Sequence, residues 1–142
     1  MRMAFMTALR DLRLSGLVLG LSVLSVSLVS PLPVRAQTVE DGSASAVGKA
    51  VAARILEMVG ERFKGLDPKV TSLRKAQGSW ICGSVNVKNR DGLYLGERGF
   101  VVDLSDGFFG RVPDGPELLN PRAEGFQALE RIRGLYFSMC LD

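Results

Sequence analysis

The sequence predicts an α+β domain: an N-terminal helix, an antiparallel three-stranded meander and a C-terminal helix. Three observations predict it. Val47, Val51, Ile55, Met58 and Phe63 recur at near-helical spacing, and Ala50, Leu56 and Val59 widen that stripe. Between residues 79 and 112, three stretches rich in apolar residues are separated by Asn-Arg-Asp-Gly and Ser-Asp-Gly turns. After Asn120-Pro121, the residues Phe126, Leu129, Ile132 or Arg133, and Tyr136 return to helical spacing. Helix, strands and helix in that order fit an α+β domain with its helices on one face of the sheet.

Residues 37–45 are polar and small and read as a flexible lead-in to a single domain over residues 46–142. The first helix is expected over about 44–64. Ser43 or Ser45 caps it, and Gly65 stands where helices commonly stop. Lys49, Arg54, Glu57, Glu61 and Arg62 occupy its solvent side. Asp67-Pro68 reads as a cap followed by proline at the first helical position, which predicts a short helix or turn over 68–73. Lys69, Arg74 and Lys75 form a basic cluster there, read as solvent-facing charge.

Residues 79–87 form the first expected strand. Ile81, Val85 and Val87 take one face; Trp80, Cys82, Ser84 and Asn86 take the other. A turn at 89–92 leads to a second strand over 93–104, with Tyr94, Phe100, Val102 and Leu104 sharing a face. Gly96 and Gly99 mark a bulge or a close backbone approach. The third strand covers 108–112, a loop covers 113–120, and the last helix runs to about Tyr136.

Ahead of the domain, residues 1–36 have the three-part pattern of a secretory signal peptide. Arg2, Arg10 and Arg13 make the positive start. Residues 17–30 form an apolar run of 14 residues, four of them serine, and Pro31 and Pro33 follow it. Val34 and Ala36 supply the −3 and −1 positions of a cleavage site. A retained anchor is the competing reading, but a spanning helix needs about 20 apolar residues. The leader therefore predicts a periplasmic or secreted protein that meets a membrane only before cleavage.

Charge follows the same division. The chain carries 18 basic and 15 acidic residues, and residues 1–36 hold four of the first and one of the second. The remainder holds fourteen of each. The basic balance belongs to the leader, so nucleic acid is not an expected partner.

Cys82 and Cys140 are the two cysteines of the chain. In an oxidising compartment they are expected to pair, buried free thiols being the alternative. The chain has no histidine, which removes the usual base near neutral pH, and two lone cysteines do not complete a zinc site. No metal or cofactor is expected. Carboxylates for a polymer hydrolase are limited to Asp103 with Asp106, or Glu57 with Glu61.

The segment from Cys82 to Gly96 carries Cys82, Gly83, Val85, Asn86, Lys88, Asn89, Gly92, Tyr94 and Gly96 in the pattern C-G-x-V-N-x-K-N-x-x-G-x-Y-x-G. It resembles a group of small exported alphaproteobacterial proteins of unknown function. Asp67-Pro68 and Phe100 extend the resemblance over about residues 66–104, and Leu93 stands where that group often has a second glycine. The resemblance implies a family but no activity.

Physically, the segment is a hairpin with polar side chains beside a turn. Asn86, Lys88 and Asn89 either bond backbone groups and lock that turn, or join Trp80 and Tyr94 in a binding surface for peptide or glycan. The expectation for the whole chain is a small exported non-enzymatic module binding a protein or envelope component. A weak hydrolase using carboxylates and a purely structural envelope protein are the alternatives.

Overall fold

The computed structural model describes residues 37–141; the expected leader lies outside the described residues. Two helices open the domain, α1 (Ala44–Val47) and α2 (Lys49–Arg62). Four strands follow: β1 (Lys69–Lys75), β2 (Trp80–Lys88), β3 (Tyr94–Asp103) and β4 (Phe108–Arg111). A 3₁₀ turn (Gly115–Leu118) leads to the last helix, α3 (Phe126–Cys140). The strands lie in sequence order, each antiparallel to the next.

The α+β class and the C-terminal helix hold, but the sheet has four strands rather than three. The added strand is β1, where a short helix or turn was expected. Val70 and Leu73 are three apart and imitate helical spacing, yet both are buried. A bulge between Thr71 and Arg74, with Ser72 at φ +56°, absorbs the odd residue and returns Leu73 to the face of Val70. Asp67 is no helix cap either, since strand β1 and not a helix follows it.

The expected single first helix is interrupted at Gly48, so that α1 and α2 are separate. The lead-in is tied to the sheet. Val39 bridges Val70 in parallel, and Glu40 N–H donates to Val70 O at 3.0 Å. Asp41 Oδ2 accepts from Ser72 N–H at 2.6 Å, and Ser43 Oγ accepts from Leu73 N–H at 2.8 Å. These bonds satisfy backbone groups that the bulge turns away from the ladder.

The helices cover opposite faces, not one. Ala52, Ile55 and Val59 of α2 pack with Val70, Leu73, Ile81, Val85, Phe100 and Val102. Val101, between Phe100 and Val102, points the other way and packs with Cys82 and Cys140. Glycines make room on both faces. A Cβ on Gly83 would strike Phe100 and Leu73, and one on Gly99 would strike the Tyr136 ring of α3.

Cys82 and Cys140 form the disulfide, with Cα atoms 5.8 Å apart. Cys140 is the last residue of α3 rather than a residue beyond it, because α3 starts at Phe126, later than expected, and ends later. Asn120, expected near the helix start, instead accepts from Arg122 N–H at 3.1 Å in a turn.

Candidate functional site

The sheet face that carries Cys82 changes character along its length. At one end α3 seals the disulfide with Val101, and Trp80 meets Phe108 edge-on with ring centroids 6.2 Å apart. The other end holds polar side chains from three strands. Register determines which ones meet. Lys69 of β1 lies opposite Asn86 of β2, and Lys88 of β2 lies opposite Tyr94 of β3.

Tyr94 reaches this face through a second bulge. The β2–β3 register shifts between Asn86 and Lys88, and Gly96 in β3 takes φ +99°, which favours glycine. Asn86 Oδ1 accepts from Gly96 N–H at 3.0 Å and holds the bulge. The extra residue turns Tyr94 away from the face of Phe100 and Val102, where strict alternation had placed it. Beyond it the turn closes as expected. Asn89 Oδ1 accepts from the N–H groups of Asp91 and Leu93, both at 2.9 Å, and Gly92 sits at φ +78°.

These residues border a cleft of about 590 Å³, lined by Thr38, Glu40, Asp67, Lys69, Lys88 and Tyr94 among others. The connection before β1 is fixed by Lys88 N–H donating to Leu66 O at 2.9 Å, which brings Asp67 to the cleft. Asp67 Oδ2 accepts from Lys88 Nζ at 2.7 Å and from the Tyr94 hydroxyl at 2.9 Å. Lys69 Nζ and Lys88 Nζ lie 4.9 and 5.0 Å from the Tyr94 ring centroid. Lys69 also pairs with Glu40 at 3.1 Å.

The electrostatics follow from these contacts. The bond from Lys88, then the one from Tyr94, holds the Asp67 carboxyl below the usual carboxylate range. Partial burial, then the bond to Asp67, pushes the Tyr94 phenol up. The bond to Glu40 raises Lys69. The cleft therefore sets the Asp67 and Glu40 carboxyl groups against the Lys88 and Lys69 amines around the Tyr94 ring. Exposed pairs of this kind are screened by solvent and contribute little to stability. Their geometric result is a row of oriented donors and acceptors beside an aromatic ring.

The residues singled out in the sequence thus separate into three groups. Lys88 and Tyr94 meet in the cleft, while Asn86 and Asn89 bond backbone and shape the hairpin that carries them. Trp80 belongs to the disulfide cluster at the opposite end. Glu40, Asp67 and Lys69 were missed as site residues. The signal for Asp67 was its place in the resembling segment; Lys69 was grouped with Arg74 and Lys75, which β1 separates from it.

Three of the four carboxylates considered for hydrolysis make local contacts, and Glu57 and Glu61 both border a groove beside Phe109. Glu57 pairs with Arg54 at 2.6 Å. Asp103 Oδ1 accepts from Ser79 and Ser105 hydroxyls at 2.5 and 2.7 Å, and Asp106 accepts from Phe108 N–H at 2.9 Å. Among the described residues no cluster of His, Cys, Asp and Glu is arranged to hold a metal ion, and no helix is long and apolar enough to cross a membrane. Compared with known protein families, curated proteins and solved structures, the chain matches none.

Proposed function

We propose that this chain is a small exported, non-enzymatic module that binds a protein or envelope component at the Tyr94 end of its sheet. One observation carries the reading. Lys69, Lys88 and Tyr94, from three different strands, converge with Asp67 and Glu40 around a cleft of about 590 Å³. Exposed contacts of this kind add little to fold stability, so their convergence is better explained by recognition. The leader pattern and the disulfide support export to an oxidising compartment.

The test is quantitative capture from an envelope extract by the chain recovered from its producing cells. Wild type and Arg90→Ala are expected to retain the same component, and Tyr94→Ala is expected to lose it. Equal capture by Tyr94→Ala would place recognition elsewhere.

A further inference from the structure

The lead-in reaches β1 along the rim of the cleft. Val39 bridges Val70, and Glu40 N–H donates to Val70 O at 3.0 Å, so the backbone is tied down from Val39 onward. Two residues, Gln37 and Thr38, lie between that tie and Ala36, the −1 residue of the expected cleavage site. Both border the cleft that Asp67, Lys69, Lys88 and Tyr94 also line. The half-buried Gln37 side chain rests on α2 at Gly60, where an added Cβ would stand 3.2 Å from Oε1. Neither Gln37 nor Thr38 belongs to a helix or strand. Among the described residues, no hydrogen bond holds the Gln37 amide in place.

We infer that the exported chain starts at Gln37 and that this residue becomes pyroglutamate, a modification that rests on the export reading above. Cleavage after Ala36 turns the Gln37 nitrogen into a primary amine. In its neutral form that amine is a nucleophile, and the Gln37 side-chain carbonyl carbon, Cδ, is within its own reach. The nitrogen attacks Cδ, and the new C–N bond closes a lactam ring. The Cδ–Nε2 bond breaks, and Nε2 takes a proton from the attacking amine and leaves as ammonia. No oxidant, reductant or second substrate is needed. The side chain gives up its place on Gly60, which is a van der Waals contact of small individual worth. Two consequences follow for the cleft. A free terminal amine is protonated at neutral pH and would add a cation to the rim, whereas the lactam adds none and leaves Glu40 to Lys69. The ring also offers an aminopeptidase no primary amine, so Gln37 and Thr38 stay on the cleft they border.

The test is mass spectrometry of the wild-type chain recovered from the periplasm or medium of its producing cells. Primary amines are dimethylated before digestion, so that a ring closed later is not counted. The N-terminal peptide should start at residue 37, carry no label on its α-nitrogen and be lighter by one ammonia than its unmodified sequence. Gln37→Asn has a side chain one carbon shorter, which closes no such ring. It should be cleaved at the same place and carry a labelled α-amine. A wild-type peptide that starts at Gln37 with a labelled amine overturns the inference and leaves the leader reading standing. A different first residue, or an intact 1–36 segment, overturns the inference together with the cleavage site on which it rests. A blocked α-amine in Gln37→Asn would assign the block to other chemistry and overturn it too. The wild-type measurement stands alone if that variant is not recovered.

Discussion

At one end of the α3-covered sheet face, Cys82, Val101 and Cys140 are sealed from water. At the other, Lys69, Lys88 and Tyr94 stand half-buried around an open cleft. The first end is held by a covalent bond and apolar packing, the second by screened polar contacts. Stability is thus concentrated where no ligand can reach, and the accessible chemistry sits where the fold depends on it least. Substitutions at the two ends should therefore separate into those that change melting and those that change binding.

The largest effect should come from the disulfide end. The Cys82–Cys140 bridge spans 58 residues of chain, and in the chain-entropy model closing such a loop stabilises by about 4 kcal/mol. Cys140→Ser, or reduction of wild type, should lower the melting temperature in thermal unfolding by the corresponding amount. A negligible shift would mean that α3 docks without its bond.

Next is Gly99→Val. Its side chain would run into Tyr136 of α3, so the helix must move or the strand must bend. Overpacking of this kind costs about 1–3 kcal/mol. The loss should be measurable by urea unfolding. In a Tyr136→Ala background it should shrink, because the obstructing ring is gone.

The hairpin that carries Tyr94 gives an effect of similar size. Gly92 has φ +78°, and a β-branched residue there adds about 1–3 kcal/mol of backbone strain. Gly92→Val should therefore melt lower than wild type, whereas the exposed Arg90→Ala should match it. Equal melting of both variants would contradict the turn described for residues 89–93.

Both misread features involve a bulge. Strand reading assumes that side chains alternate with a period of two, and a bulge adds a residue without leaving a mark in that pattern. Over β1 the reading followed Asp67-Pro68 as a helix start, and the bulge at Ser72 left no unbroken alternation to oppose it. At Gly96 the extra residue moved Tyr94 to the opposite face. Where alternation is unbroken, from Trp80 to Asn86, each face was read correctly. Gly96 was recognisable as a bulge signal; Ser72 was not, because its support comes from Asp41 and Ser43, remote in sequence. The pairing of Cys82 with Cys140 was legible because the chain has no other cysteine. The cleft was legible only in Lys88 and Tyr94, since Glu40, Asp67 and Lys69 reach it through the hidden strand and its partner segment.

The smallest expected effect is pH dependence. Asp67 is held below its ordinary range by Lys88 and Tyr94, Asp41 by Ser43 and Ser72, and Asp103 by Ser79 and Ser105. A carboxyl with a lowered folded-state value stabilises the fold above its unfolded value, near 4, and loses that contribution as pH falls through the folded value. Melting temperature should be flat from neutral pH to about 5 and decline below about 4. Asp67→Asn should flatten the acid decline slightly, because Asp41 and Asp103 still contribute to it.

The separation of the two ends is tested most directly by measuring melting temperature and envelope-component capture together for Tyr94→Ala and Cys140→Ser. The account predicts that Tyr94→Ala melts close to wild type and loses capture, while Cys140→Ser melts far lower and still captures at temperatures where it remains folded. A Tyr94→Ala chain that loses stability as heavily as Cys140→Ser yet captures normally would contradict it, and would make the polar end part of the scaffold.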